Sequence, residues 1–110
     1  MRKPALDSLL KLSLESLAAK RAHDAPVWQA LSRYYEKQGK ILRSLEAHAE
    51  AKAAYYDYDG AVNVLKAARD RENDEADSPD KYNQISINDS KLKQFSAMRD
   101  EQRKFEKSTN

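Results

Sequence analysis

The sequence predicts an all-α protein built from about five antiparallel helices. Glycine occurs only twice and proline three times among the 110 residues, and β-branched residues are few. Few residues therefore interrupt helices, and few favour strands. Sixteen residues are alanine, within an apolar fraction of 40%, so the core has a small volume and suits helices that approach closely. We expect one domain that spans residues 1–110.

The first helix is predicted over residues 5–22. Pro4 is tolerated in its first turn, and its leucines recur at the spacing of an amphipathic helix. We expect one broad inward face made by Leu6, Leu9, Leu10, Leu14, Leu17 and Ala18. Asp24 can cap the helix that follows the turn.

Three shorter helices are predicted over residues 26–38, 41–56 and 59–71. Gly39 ends the first of them, since glycine is favoured where a helix stops. The buried positions are expected at Val27, Trp28, Leu31, Tyr34 and Tyr35, then at Leu42, Leu45, Ala49 and Ala53, and then at Ala61, Val64, Leu65 and Ala68.

The last helix is predicted over residues 79–104, after an acidic connection expected to be solvated. Ser78 can cap it, with Pro79 at its first position. Its inward residues are expected to be Ile85, Leu92, Phe95 and Met98. Asn88 and Asp89 mark a candidate break, because both side chains compete for backbone hydrogen bonds.

Large and small residues also recur in a longer pattern around the Gly39 turn. The pattern reads Trp28-x-x-Leu31-Ser32-x-x-Tyr35-x-x-x-Gly39, then Ser44-x-x-x-His48-x-x-Ala51, and 17 residues later Ala61-x-x-x-Leu65-x-x-Ala68. This spacing is typical of tetratricopeptide-type helix pairs, whose repeat is ~34 residues. It predicts a tetratricopeptide-like helical solenoid with a C-terminal capping helix, an architecture that binds other proteins.

Some stretches resemble one protein family more closely. They are Asp24-Ala25-Pro26-Val27-Trp28, Ser44-x-x-Ala47-x-Ala49-Glu50, Asp57-Tyr58-Asp59-Gly60-Ala61-Val62, and Lys91-Leu92-Lys93-Gln94-Phe95 with Ser86 and Asp89. Over residues 24–95 the chain resembles the C-terminal repeat region of periplasmic zinc metalloproteases that support outer-membrane β-barrel assembly. It departs from that family at Tyr56, where a glycine is usual, and at residues 52–54, where aromatic residues are usual.

The resemblance implies the non-catalytic half of such a protease, located in the periplasm as a fragment of a larger protein. That half positions the protease domain of the same parent chain and engages barrel-assembly components or their clients. Catalysis in the family belongs to a His-Glu-x-x-His helix. This chain has only His23 and His48, and no cysteine, so we expect no enzyme activity, no metal and no cofactor.

Charge and hydropathy exclude other partners. The 20 basic residues are balanced by 18 acidic ones and form no basic cluster, which argues against binding of nucleic acid. No uninterrupted apolar run suggests a signal peptide or membrane insertion. The alternative function is a free-standing cytoplasmic scaffold of the same repeat type.

The predicted partner is a protein or an extended peptide, held by a mixed-charge strip. The strip comprises Gln29, Arg33, Glu36, Lys37, Arg43, Glu46 and Glu50. Its three residues from the third helix, Arg43, Glu46 and Glu50, are expected to face outward. Trp28 and Tyr35 are expected in the core, and His48 as a packed neutral imidazole. Tyrosines 55, 56 and 58 cannot all face one side of a helix, so we expect at least one of them to be exposed.

Overall fold

The computed structural model describes residues 4–109, which form five α-helices and contain no strand. The helices are α1 (Pro4–Lys20), α2 (Ala25–Lys37), α3 (Ile41–Ala54), α4 (Tyr58–Asp70) and α5 (Pro79–Thr109), with a short 3-10 helix at Glu72–Asp74. The all-α class is thus confirmed. α1 and α3 each end two residues before the predicted limit, and α5 runs five residues beyond its predicted end at residue 104.

The helices pack mainly on their neighbours in sequence, and α5 returns to cover both α4 and α3. The molecule measures 55 × 29 × 18 Å. One apolar cluster joins α1, α2 and α3 around Leu31 and Tyr34. A second cluster joins α3, α4 and α5 around Leu65 and Phe95. α3 is therefore the helix that the two halves of the core share.

α3 can be shared because its buried side chains are small. Ala47, Ala49 and Ala51 are 2%, 0% and 3% exposed. Ser44 meets Ser32 of α2, where each hydroxyl donates to the backbone carbonyl of the other residue at 2.8 and 2.9 Å. Small residues and mutual hydrogen bonds let the two helices cross closely without leaving a polar group unpaired.

α1 does not bury the face that its leucine spacing predicts. Leu6 and Leu9 are 57% and 61% exposed, while Ala18 is buried and Leu14 half-buried. The reason is position, because α1 lies at one end of the stack and packs mainly on α2. A single neighbour covers only a narrow stripe of a helix, so most of the leucines remain in solvent.

Two helices end in the same hydrogen-bonded turn, but with different residues at its left-handed position. After α2, Gly39 has a φ of 75°, and after α3, Tyr56 has a φ of 61°. The amide of the following residue donates to the carbonyl five residues back, at 2.9 Å in both turns. This pattern is the Schellman motif, in which glycine is preferred. Tyr56 therefore occupies a position that usually requires glycine.

The acidic connection before α5 is only partly solvated, because Glu75 is buried. Its carboxylate accepts a hydrogen bond from the amide of Leu42 at 3.1 Å. Lys40, which precedes α3, makes no capping hydrogen bond through its side chain. Glu75 thus satisfies a free amide in the first turn of α3 from a distant part of the chain. The expectation of a simply solvated loop is wrong at this residue.

Lys81, in the first turns of α5, fixes the same connection from the other side. Its buried ammonium donates to the carbonyl of Glu75 at 3.0 Å and to the Asp77 carboxylate at 2.9 Å. The hydrogen bond from Lys81 lowers the pKa of Asp77, and the hydrogen bond to Asp77 raises the pKa of Lys81. The start of α5 is thereby tied to the start of α3.

We expect Tyr56→Gly to stabilise the protein by about 0.5–1 kcal/mol, because a side chain in the left-handed region costs roughly 1–2 kcal/mol. The Tyr56 side chain is 65% exposed, so its removal takes little from the core. Urea unfolding monitored by circular dichroism measures the change.

Gly39→Ala is the matched control for Tyr56→Gly. No atom lies within 4 Å of the added Cβ, so backbone strain is the only local effect, and we expect a loss of about 1 kcal/mol. A destabilised Tyr56→Gly protein would contradict the strain at Tyr56.

Candidate protein-binding surface

The structure divides the predicted strip between two environments. The α2 residues Gln29, Arg33, Glu36 and Lys37 are all exposed. The α3 residues Arg43, Glu46 and Glu50 are half-buried. Only the α2 part of the strip is therefore open to a partner along its whole length.

Glu46 and Glu50 are covered because α5 packs against their side of α3. Both carboxylates bind the Lys91 ammonium of α5, Glu46 through a short contact and Glu50 at 2.9 Å. Arg43 lies over the ring of Tyr35, 5.6 Å from its centroid. The prediction that Glu46 and Glu50 face outward is wrong. Both carboxylates bind Lys91 of the same chain, where the sequence predicted contact with a partner.

Lys91 connects three helices through one ammonium group. Besides the two carboxylates of α3, it lies 5.7 Å from the ring centroid of Trp28 on α2. The indole Nε1 of Trp28 donates to the carbonyl of Ala22 at 2.9 Å, which closes the α1–α2 turn. Trp28 packs against the core, as predicted, and also faces this cation.

The Lys91 ammonium keeps its positive charge in this cluster. Burial alone would lower the pKa of Lys91, but attraction to Glu46 and hydrogen bonds to Glu46 and Glu50 raise it above its ordinary value. Lys91 is consequently a cation at neutral pH. A half-buried cation that binds two carboxylates favours one placement of α5 on α3.

A chain of buried polar side chains extends this contact along α5 toward its N-terminus. The Gln84 amide donates to Glu46 at 2.8 Å and to Asn88 at 3.0 Å, and Asn88 donates to the carbonyl of Leu42 at 3.2 Å. The Asn88 side chain bonds to α3 and not to its own backbone. α5 is therefore continuous at the break that the sequence suggests.

An open groove of about 270 Å³ remains between the α1–α2 turn, α3 and α5. Its apolar wall includes Ala53, Phe95 and Met98, and its polar edge includes His23 and Glu50. Met98 was expected inward, but it is 42% exposed. An apolar concavity with a few polar groups is typical of a site that receives one side chain of a ligand.

One tyrosine, Tyr58, lines this groove, and Tyr55 and Tyr56 lie close to it in the chain. Tyr58 is half-buried, and its ring lies 6.1 Å from that of Phe95. Tyr55 and Tyr56 are 64% and 65% exposed. The expectation that at least one tyrosine of this cluster is exposed is confirmed, and two are.

Tyr55 also lines a shallow depression around residues 20–26. The depression and the groove share Ala22 and His23, so this side of the molecule offers one continuous surface.

A third depression, on the other side of α3, brings His48 near the two paired serines. His48 is exposed, so the predicted packed imidazole is wrong. The Ser32 and Ser44 hydroxyls donate hydrogen bonds to each other's backbone carbonyls, and neither hydroxyl is hydrogen-bonded to the imidazole. Within residues 4–109 no three His, Cys, Asp or Glu side chains cluster as a metal would require. The same residues include no helix that is both long and apolar enough to cross a membrane.

Comparison of the chain with protein-family models, with curated proteins and with solved structures finds no match.

We expect Lys91→Met to lower the free energy of unfolding by about 1–3 kcal/mol, because it leaves Glu46 and Glu50 without their shared cation. The value lies below that for a fully buried pair, since each of the three side chains keeps about a fifth of its exposure. Chemical denaturation measures it.

Lys93→Met is the matched control, as Lys93 is exposed two positions further along α5. It should change stability by less than about 0.5 kcal/mol. Combining Lys91→Met with Glu46→Gln and Glu50→Gln should recover part of the lost stability, because the two uncompensated carboxylates then no longer repel each other. Equal effects of Lys91→Met and Lys93→Met would show that the cluster does not hold α5.

Proposed function

We propose that the chain is a non-catalytic, tetratricopeptide-like interaction module of a periplasmic zinc metalloprotease. In that setting it positions the protease domain and engages outer-membrane assembly components or their clients. The observation that carries the proposal of protein binding is the groove at the end of α3, with Tyr55 and Tyr56 exposed nearby. Tyrosine is enriched at binding hot spots because it combines apolar area with a hydroxyl group.

The packing of each helix on its sequence neighbours supports the tetratricopeptide-like solenoid. In this proposal α5 caps the solenoid and also covers one face of α3, because its Lys91 binds Glu46 and Glu50. A partner then binds beside α5 and not beneath it. The exposed residues Gln29, Arg33, Glu36 and Lys37 stay in the proposed partner-binding set.

The absence of catalysis is part of the same proposal. The serine hydroxyls near His48 hydrogen-bond to backbone carbonyls, which leaves them without the base that a nucleophile needs. The parent protease, and not this module, then supplies the zinc and the water-activating glutamate.

The assignment to a protease rests on the sequence resemblance, and the coding region tests it. An in-frame His-Glu-x-x-His helix upstream, behind a signal peptide, is the expected finding. A stop codon directly upstream of Met1 would instead support the free-standing cytoplasmic scaffold.

Photo-crosslinking in the native cell tests the interaction. A benzophenone amino acid replaces Tyr55 or Gln29 in the full-length gene product, and Lys66, exposed on α4, is the control position. We expect ultraviolet-dependent adducts at Tyr55 and Gln29 that mass spectrometry identifies as the protease domain or outer-membrane assembly proteins. Adducts no stronger than at Lys66 would overturn the proposal, and cytosolic adducts alone would favour the scaffold.

A further inference from the structure

The outer side of α1 is an apolar surface that no other helix within residues 4–109 covers. Leu6, Leu9 and Leu12 are 57–64% exposed, and Leu10 and Leu17 are each 37% exposed. We call these five residues the leucine face. Single exposed leucines need no explanation, but a contiguous group of this kind marks an interaction site.

The leucine face carries no charge between its first and last residues. The charged residues in that interval are Asp7, Lys11 and Glu15, spaced four apart and all half-buried. Their spacing places them together on the other side of the helix, and Lys11 and Glu15 pair with each other at 3.9 Å. The leucine face is thus an uncharged stripe about 17 Å long, given a rise of ~1.5 Å per residue.

One edge of this stripe is basic. Arg33 and Lys37 lie one turn apart on the exposed side of α2, and they line a notch of about 170 Å³ with Leu10 and Leu14. Neither side chain makes an ion pair or hydrogen bond within residues 4–109. Glu36 lies between them in sequence but lines the separate depression near His48. Among the described residues that line this notch, Arg33 and Lys37 are therefore the charged ones, and none is a carboxylate.

We propose that the leucine face and the Arg33–Lys37 edge dock an amphipathic helix whose apolar stripe is bordered by aspartate or glutamate. The length of the stripe matches about three turns of a partner helix, and the notch receives one apolar side chain. Carboxylates along the border of that helix pair with Arg33 and Lys37, which fixes its direction and register. This inference rests on the proposed interaction function and names the chemistry of one partner.

Charge also distinguishes this partner from a second copy of the chain. In a symmetric pair of α1 helices the leucine faces would meet, but each basic edge would approach only its own equivalent or an apolar surface. Like charges at an interface are unfavourable and suppress that pairing. An anionic membrane surface would also attract Arg33 and Lys37, but a notch shaped for a single side chain is a feature of protein recognition.

The test uses two synthetic helical peptides of about 17 residues with leucine at the spacing of one helical stripe. One peptide carries glutamate along both borders of the stripe and the other carries lysine. Fluorescence anisotropy measures their binding to the whole chain at low and at physiological ionic strength. We expect the glutamate peptide to bind at least tenfold more tightly than the lysine peptide, and the difference to shrink with salt.

Variants of the exposed residues locate the site. Arg33→Glu with Lys37→Glu should reverse the preference between the two peptides. Lys66→Glu with Lys93→Glu changes the net charge equally on other exposed surfaces and should preserve the preference. Leu9→Ser should lower the affinity for the glutamate peptide at least fivefold. The circular dichroism spectrum and the unfolding midpoint should stay unchanged, because Leu9 is 61% exposed.

The inference is overturned if the two peptides bind equally, if neither binds, or if the Arg33 and Lys37 changes act no more than their control. It is also overturned if sedimentation shows self-association that Leu9→Ser abolishes. Flotation with phosphatidylglycerol vesicles that depends on Leu9, without peptide binding, overturns it in favour of a membrane. Photo-crosslinks at Tyr55 are independent of these outcomes, so they separate a wrong partner chemistry from a wrong function.

Discussion

The position of α5 depends on one cation, the Lys91 ammonium, which two carboxylates of α3 bind. Apolar contacts at Leu92 and Phe95 supply burial, but apolar contacts alone tolerate sliding and rotation of one helix on another. The ion pairs with Glu46 and Glu50, the Gln84–Asn88 hydrogen bonds and the buried Glu75 together define one register. Each of these groups would be costly to leave unpaired, so alternative placements of α5 are disfavoured.

Local signals in the sequence predicted the helices well. Helix stops at Gly39 and starts at Asp24 and Ser78 depend on residues within one turn, and the Asp24 and Ser78 side chains accept hydrogen bonds in the first turn of their helices. Boundaries were less accurate at α1 and α3, which both stop two residues early, and at α5, which continues five residues further. The direction in which α1 faces could not be predicted, because leucine spacing identifies an apolar side but not whether a neighbour exists to cover it.

The candidate site was predicted only in part, and the reason is again the long-range packing. Gln29, Arg33, Glu36 and Lys37 are exposed as the α2 pattern indicates. Glu46 and Glu50 look like solvent-facing residues in a local pattern, and only the return of α5, some 40 residues later, places Lys91 against them. Lys81, Gln84 and Asn88 likewise read as surface residues, because hydropathy gives no signal for polar groups that are buried in pairs.

The small side chains of α3 also affect how such a chain can change over evolutionary time. Ala47, Ala49 and Ala51 set the distances between α3 and its neighbours, and larger residues there would push whole helices apart. Exposed positions such as Leu12 or Tyr55 have no comparable constraint from packing. Sequence drift should therefore be slowest at the smallest residues, so that related chains would share alternate alanines long after their surfaces have diverged.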